Sequence, residues 1–594
     1  MILQRLKERI SATVAQVHDD LEADEVEGWI EIPPDPSMGD FGIPCFKLAP
    51  IFQNDPTEIA GNLVDDVRAP DGIQEVTNEG PYLNFHIDRM GFISRVLPDV
   101  LDPGVEFGHP NLGEDEPVVI DYSSPNIAKP FSVGHLRSTA IGAVLYRLYD
   151  ALGYDPVAVN HLGDWGTQCG KQLLAFEKWG DEEELEEQGV EYLQELYVRI
   201  NEAIDEDPDL QDQARDWFRR LEEGDEGAVE RWKQFRETSI AYLDRIYDRL
   251  GVHFDTYTGE SFFHDRSEDV IDQVEEAGIL TESEGALIVE FAPEDMPPFL
   301  LRKEDGSTLY ATRDLAAALY RHEEYGADRL LYVVASEQNL HFRQLFRVLE
   351  KMGHDWVEGC EHVNFGLVQL EEGKMSTRSG DVVLLEDLLE RGIEKTENII
   401  RERQEHLSEG ADASVDELDQ QAREIAEHIG IGAVLFSDLK DDRERNVTFD
   451  WDEAIGYDPN TGSFRGETGP YLQYTHVRLC GIEREFATTE WGEENVCGHW
   501  DRLTEPEEFL LVRRISRYPL MLERALDQHK PSVIANYLVD LAQSFNHYYH
   551  DREKHKVISE DRELTKARVA LCKAVRSVLA SGLELLGIEP VERM

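Results

Sequence analysis

The sequence predicts a multidomain α/β protein built around a β-α-β nucleotide-binding unit, and three observations carry that prediction. Val118-Val119-Ile120-Asp121-Tyr122 reads as a buried strand, residues 135–152 have apolar positions near helical spacing with Gly153 at their end, and Pro156-Val157-Ala158-Val159 reads as the next strand. Strand, helix and strand in that order make one mononucleotide-binding half. A second half starts near Ile288 and contains another buried strand, Leu330-Leu331-Tyr332-Val333-Val334.

At 594 residues the chain is too long for one core, and roughly three to five domains are expected. Residues 1–112 combine a leading helix with short apolar runs such as Tyr82 to Ile87 and read as a small α+β domain, closed by a Gly/Pro/acid linker from Gly108 to Pro117. The first half of the nucleotide fold occupies 113–175, a very acidic and mostly helical insertion 176–287, and the second half 288–381. A helical connecting region (382–455) and a helical C-terminal domain (456–594) complete the order.

Composition narrows the class. No apolar run approaches the roughly 18 residues that span a bilayer, and residues 1–20 carry no signal-peptide core, so no membrane association is expected. The six cysteines are far apart with no CxxC pair, which argues against a structural zinc and against a disulfide framework. A cytoplasmic monomer is expected. The charge is the unusual feature: 122 Asp+Glu against 58 Lys+Arg, a net of −64. An acidic chain that avoids nucleic acid is one explanation; adaptation to very high salt, where self-repulsion is screened, is favoured because the acid is spread through folded segments. From Phe509 to Met594 the balance reverses, with 14 Lys+Arg against 11 Asp+Glu and a local net of +3. Composition alone leaves that stretch open between a mixed helical surface and a face that meets phosphates.

Chemistry concentrates at the turn between the first strand and its helix, Ser124-Pro125-Asn126-Ile127-Ala128-Lys129-Pro130-Phe131-Ser132-Val133-Gly134-His135-Leu136-Arg137-Ser138. Gly134 lets the backbone approach a flat base, a helix N-terminus meets phosphate oxygens, and His135 and Lys129 add positive donors for charge that grows on a reacting phosphate. The string Ser132-Val133-Gly134-His135 resembles the HIGH signature of class I aminoacyl-tRNA synthetases, and the longer string is similar to its arginyl-tRNA synthetase form. Ser132 stands where the signature has its first His; a hydroxyl donates a hydrogen bond but carries no charge.

A second string, Gly373-Lys374-Met375-Ser376-Thr377-Arg378-Ser379-Gly380, resembles the KMSKS signature, with Thr377 in place of the second Lys. In arginyl-tRNA synthetases that loss is usual, and a Lys just before the HIGH signature compensates; Lys129 occupies that place. The resemblance therefore implies a Rossmann-like class I catalytic domain, with Lys129, His135 and Lys374 as catalytic charges. ATP, with Mg²⁺ on its phosphates, would lie against Ser132, Gly134, His135, Gly163, Asp164, Lys374, Met375 and Ser376. Gly163 and Asp164 belong to the string His161-Leu162-Gly163-Asp164-Trp165-Gly166-Thr167-Gln168, at the end of the second strand.

A guanidinium is planar and permanently charged, so a site selective for it needs carboxylates and planar acceptors in a fixed fork. Thr308-Leu309-Tyr310-Ala311-Thr312-Arg313-Asp314-Leu315 puts Tyr310 and Asp314 one helical turn apart, and Ser336-Glu337-Gln338-Asn339-Leu340-His341 follows a buried strand. Without the family, Asp314 reads as an ion-pair partner of Arg313 or Arg321. The resemblance places Asp314 on the arginine guanidinium with Tyr310 and Gln338 beside it, Asn126 and Ser124 at the amino-acid end, and Asp121 at a further acidic position. It also implies tRNA(Arg) as partner. Gly80-Pro81-Tyr82-Leu83-Asn84-Phe85 is similar to a string of the family's N-terminal domain, where Tyr82 and Asn84 meet a D-loop base; a buried edge strand is the alternative for Tyr82. Gly469-Pro470-Tyr471-Leu472-Gln473-Tyr474-Thr475-His476 resembles the start of the family's anticodon-binding helical domain, which adds Tyr471, Tyr474 and Arg478. Tyr537, Phe545, Tyr548 and Tyr549 are stacking candidates there, although core packing is the commoner fate of such side chains. A synthetase for another amino acid, a non-catalytic tRNA-binding relative and a nucleotidylyltransferase are the competing readings. The first lacks its expected basic or zinc-binding site, the second keeps phosphate-contacting residues it does not need, and the third has no use for Asp314.

Overall fold

The computed structural model describes residues 2–33, 38–292, 296–304, 306–370, 383–407 and 415–594. In the N-terminal part, β1 (Phe41–Pro44), β2 (Ile73–Glu79) and β3 (Tyr82–Ile87) form an antiparallel sheet in the order β1-β3-β2. Tyr82–Ile87 is thus the central strand and not an edge, because the turn at Gly80 (φ 54°) folds β3 back along β2 while β1 pairs its other side.

The nucleotide-binding core is a four-stranded parallel sheet. β4 (Pro117–Asp121) and β5 (Asp155–Val159) flank the signature helix Leu136–Ala151 in sequence. The three-stranded antiparallel sheet β6 (Leu280–Ser283), β7 (Ala286–Val289) and β8 (Phe299–Arg302) comes next in the chain, followed by β9 (Arg329–Tyr332) and β10 (Cys360–His362). The parallel sheet runs β10-β9-β4-β5. The continuous apolar run of β4 follows from this central place: Val118 and Ile120 enter one core and Val119 the core on the opposite face. β5 pairs one side of β4 and β9 the other, which makes the carboxyl ends of β4 and β9 the topological switch point.

The expectation that a second half-fold begins near Ile288 is corrected here. Ile288 lies in β7, in the side sheet, and the parallel sheet resumes only at β9. The left-handed pair Glu284 (φ 52°) and Gly285 (φ 81°) supplies the tight hairpin that turns β6 into β7 instead of feeding a crossover helix.

Most of the segment 176–287 is helical, with β6 and the start of β7 at its end, and its long helix Glu226–Leu250 lies against the signature turn. Past residue 383 helices dominate, including Val415–Leu439, Gly469–Ala487, Pro506–Ile515, Pro531–His550 and Arg562–Leu585. Short β11 (Val368–Leu370) and β12 (Val447–Phe449) pair in parallel. Among the ties that hold this helical part to the parallel-sheet core, Arg137 and Asp438 form a fully buried ion pair at 2.8 Å, and Tyr149 Oη lies 2.7 Å from His529 Nε2. Arg513 reaches back to Asp40 of the N-terminal part at 3.0 Å. No described helix is long and apolar enough to cross a membrane.

Candidate active site

Beyond Asp121 the chain takes three left-handed non-glycine conformations within six residues, at Ser123 (φ 69°), Ser124 (φ 48°) and Ala128 (φ 55°). Such backbone is costly for L-residues and persists only where neighbours over-determine it. Here they do. The Ser123 N–H donates to Ser138 Oγ (2.8 Å), Ser123 Oγ meets Tyr247 Oη (2.8 Å), and the Ala128 N–H donates to Ser239 Oγ (2.8 Å). Tyr247 and Ser239 both come from the helix Glu226–Leu250, so the acidic insertion holds the signature turn in shape.

The turn ends in a capping box. The Ser132 N–H donates to His135 Nδ1 (3.3 Å), Ser132 Oγ lies 3.0 Å from the same nitrogen, and the Phe131 ring stacks on the imidazole at 4.9 Å. Because Nδ1 accepts, the ring hydrogen sits on Nε2. Burial holds the His135 pKa below its ordinary value, and the charge of Lys129 adds to this. His135 is therefore a neutral donor, where the sequence suggested a positive one. A Cβ on exposed Gly134 would meet only Ser132 Oγ, at 3.4 Å, so the surface above it is open. On the other side of the turn, the Val133 N–H donates to Val383 O (3.1 Å) and the Leu385 N–H to Phe131 O (2.9 Å). Lys374, Met375 and Ser376 fall in 371–382, outside the described residues.

Lys129 lays its ammonium 4.9 Å above the Tyr197 ring of the insertion. Burial lowers its pKa, Cys169 opposes the shift and the charge of Lys171 adds to it. Asn126 pairs with Gly163 across the ends of β4 and β5, and its exposed side chain accepts from Gln168 Nε2 at 3.1 Å. Asp164 departs from its expected nucleotide role. It is fully buried, with Oδ1 accepting from the Ser261 N–H (2.8 Å) and Oδ2 from Arg236 Nε (2.9 Å) and Ser261 Oγ (2.8 Å). Its carboxylate fastens the insertion helix to the end of β5, and its side chain is closed off from solvent. Gly163 is also buried beneath this floor, its N–H bonded to Pro125 O at 3.0 Å.

The helix Tyr310–Tyr325 brings Tyr310 and Asp314 to one face as the spacing predicts. Tyr310 is half exposed and Asp314 partly so, whereas Gln338 projects from the single turn Ser336–Gln338 after β9. Asp314 Oδ2 accepts from His341 Nε2 at 2.7 Å, and His161 Nε2 lies 3.7 Å from Oδ1. Burial pushes the Asp314 pKa up, but the bond from His341 and the charges of His341, His161 and Arg321 outweigh it and hold the carboxyl below its ordinary value. Asp121 takes a different place from the one expected. Arg321 Nη1 meets its Oδ2 at 2.8 Å with both side chains buried, and Ser124 Oγ donates to its Oδ1 at 2.8 Å. Arg321 Nη2 in turn lies 3.3 Å from His161 Nδ1. Asp121 thus reaches Asp314 through Arg321 and His161, because the buried guanidinium of the chain itself has taken the position next to it.

Sequence reasoning missed Glu260. Its Oε2 meets Arg313 Nη2 at 2.9 Å, and burial raises its pKa, with Arg313 and His161 lowering it and the charge of Asp314 raising it. Two carboxylates therefore share this end of the sheet. The signal was distance: Glu260 is 54 positions from Asp314 and sits beside it only because the insertion returns to the sheet.

Of the tRNA-facing candidates, Tyr82 is partly buried, with its ring edge-on to exposed Phe46 at 6.1 Å. Asn84 departs from expectation: in the central strand its side chain points inward, 2% exposed, against Gly39 and Gly42, where it meets no partner from outside. Tyr471, Tyr474 and Arg478 do come together. Arg478 lies over the rings of Tyr474 (4.9 Å) and Tyr549 (5.3 Å) and bonds Asn546, which also donates to Tyr471 Oη at 2.9 Å. Tyr537, Phe545 and Tyr548 are core; Tyr549 alone of the four is partly exposed. Many cations after Phe509 are used inside the protein, for example Arg514 with Asp540 (3.0 Å), Arg568 with Glu508 (2.7 Å) and Arg576 with Glu483 (2.6 Å). Among the described residues the one cluster of three metal-ligating groups, Glu505, Glu507 and His555, lies in the helical part away from the cleft.

The family model for "tRNA synthetases class I (R), catalytic domain" matches residues 97–451, the DALR anticodon binding domain matches 472–594, and the arginyl tRNA synthetase N terminal domain matches 4–87. The chain is 42% identical over 588 residues to an arginine–tRNA ligase of Halothermothrix orenii, covering 99% of each chain. It is also 42% identical over 597 residues to one of Clostridium perfringens, covering 100% of this chain and 99% of that one. The solved arginyl-tRNA synthetases of Thermus thermophilus and Plasmodium falciparum share its fold at a TM-score of 0.78 and 23% identity, each covering 100% of this chain. Signature turn, switch-point cleft and three matched domains in this order lead to one assignment: the chain belongs to the arginyl-tRNA synthetase family of class I aminoacyl-tRNA synthetases.

Proposed function

We propose that the cleft activates L-arginine with ATP to arginyl-adenylate and transfers the arginyl group to tRNA(Arg), releasing AMP and pyrophosphate. The observation that carries this reading is Asp314: a carboxylate held ionised by two histidines, partly open at the switch point, with a second carboxylate, Glu260, beside it. A guanidinium matches that charge, and the exposed Tyr310 ring and Gln338 amide supply its flat surface and planar acceptor. Ser124 and Asn126 take the amino-acid end, and Asp121 supports the pocket through Arg321.

ATP enters with Mg²⁺ on its phosphates, over Gly134 and the turn of Ser132 and His135. An arginine carboxylate oxygen attacks the α-phosphorus in line; the bond to the pyrophosphate oxygen breaks and the adenylate forms. A hydroxyl of the terminal adenosine of tRNA(Arg) then attacks the adenylate carbonyl, its proton leaves, and AMP departs. Neither step needs a protein nucleophile, so positioning and charge carry the rate. His135 donates through Nε2, and Lys129 and Lys374 bring positive charge. Tyr82 on one side and Tyr471, Tyr474 and Arg478 on the other are the tRNA contacts, and bound tRNA is required before activation.

Arginine-dependent pyrophosphate exchange in molar potassium chloride, with and without tRNA(Arg), tests this. Exchange is expected only with both present. Asp314→Asn removes the charge and is expected to raise KM for arginine by about a hundredfold, with KM for ATP little changed. Exchange that ignores arginine, in folded protein, would overturn the substrate assignment.

A further inference from the structure

One side chain touches both residues that the proposed arginine seat turns on. His341 is 8% exposed, at the start of the helix Asn339–Lys351, which follows β9. Its Nε2 lies 2.7 Å from Asp314 Oδ2, and its ring lies 5.0 Å from that of Tyr310. Phe299 of β8 stacks on the same ring at 6.2 Å and 22°, and Phe342 meets it at 5.2 Å. The imidazole is thus clamped by apolar rings and has little freedom to move away from the carboxylate. An ionised carboxylate only accepts, so the hydrogen of this bond sits on His341 Nε2. That bond uses one oxygen of Asp314 and fixes the plane of the other, which faces His161 at 3.7 Å. A bidentate fork needs its acceptor plane set before the ligand arrives, since a carboxylate free to rotate meets a guanidinium in the right plane only part of the time.

Resting on the reading of the cleft as an arginine seat, we propose that His341 is a positioning residue for arginine recognition: it locks the Asp314 carboxylate plane and supports the Tyr310 ring, without touching the substrate. Two variants separate its functions. His341→Phe keeps the ring stack and removes the donor. His341→Gln removes the ring but places an N–H near the position of Nε2.

Pyrophosphate exchange with saturating tRNA(Arg) is measured across arginine and ATP concentrations, with a thermal melt to show folding. His341→Phe is expected to raise KM for arginine about tenfold while kcat and KM for ATP stay within about threefold, and His341→Gln to return KM for arginine to within about threefold of the unaltered chain. A merely structural role would not split KM from kcat, nor be rescued by an amide. An unchanged KM for arginine in His341→Phe, or equal damage in both variants, overturns the proposal. Should His341→Phe fail to fold, His341→Ala takes its place beside His341→Gln: a roughly tenfold rise in KM for arginine that the amide reverses supports the proposal, and equal KM values in the two overturn it. Asp314→Asn run alongside keeps the two readings apart. If it raises KM for arginine and His341→Phe does not, only the positioning role falls. If the unaltered chain shows no dependence on arginine, the seat itself falls, and this role with it.

Discussion

Asp121 and Asp314 are both carboxylates at the mouth of one sheet, yet only one of them is open to a ligand. The difference lies in Arg321, which sits two helical turns beyond Asp314 and buries itself against Asp121. Short strings made Asp314, Tyr310 and the His135 turn legible, because one turn of helix or one strand end fixes their relative places. The partners were not legible: Arg236 on Asp164, Tyr197 on Lys129 and Glu260 beside Asp314 come from segments 54 to 72 positions away. Two expectations belong at this scale. Lys129→Met removes the ammonium but keeps a side chain to lie on Tyr197, and should lower the exchange rate at least tenfold with a melting temperature within a few degrees. His135 is held below its ordinary value of 6.5, so as pH falls the unfolded chain takes up its proton first. The stability its neutral ring contributes is present above that value and is lost as pH falls below it. The acid limb of the exchange rate, if set by this ring, therefore lies below pH 6.5, and a His135→Ala variant should lose that limb.

At the scale of elements, β4 was readable because both its faces are buried, and a strand buried twice is an unbroken apolar run. The side sheet β6-β7-β8 was not, since its strands are four residues each and β6 carries Thr, Glu and Ser behind a single apolar residue. The signature helix fits tightly against β4: a Cβ on Gly142 would land inside the Tyr122 side chain. From that helix Arg137 donates to the carbonyls of Gly366 (2.9 Å) and Arg445 (2.7 Å) while facing buried Asp438. Burial pushes the Asp438 carboxyl up to about 6 despite the attraction of Arg137, with Asp441 adding to the rise. Between its ordinary value and about 6 the folded chain holds the extra proton, so the contribution of this group to stability falls as pH rises through that window. Asp438→Asn should flatten that part of the melting temperature against pH profile. Asp438→Ala leaves Arg137 buried without a counter-charge and should cost about 3–5 kcal/mol in denaturant unfolding at pH 7.

For the whole molecule, a net charge of −64 has to be reconciled with a polyanionic partner. The charge total was plain in the sequence, but the use of the cations was not, because pairs such as Arg513 with Asp40 join residues more than 470 positions apart. Salt acts on the two problems in opposite directions. At about 1 M the screening length is near 3 Å, so repulsion among the carboxylates fades and the fold gains, while phosphate contacts weaken with every counter-ion they must displace. The melting temperature is therefore expected to climb steeply between 0.1 and 2 M potassium chloride. KM for tRNA(Arg) should rise less steeply than it does in a basic nucleic-acid-binding protein if the proposed contact at Tyr474 is a base stack, because stacking does not depend on ion release. A flat melting profile over that range would remove the high-salt explanation of the acid.

The cation–π seat of Lys129 bears on any attempt to rebuild this protein from parts. The lysine belongs to the nucleotide fold, but the ring beneath it belongs to the insertion, as do the hydroxyls that hold Ser123 and Ala128 in left-handed backbone. A chimera that exchanged the insertion along its sequence boundaries would keep every signature residue and lose the surface that gives the signature turn its shape. The seam between donor and recipient has to be drawn around Tyr197, Ser239 and Tyr247, so that they travel with the turn they support.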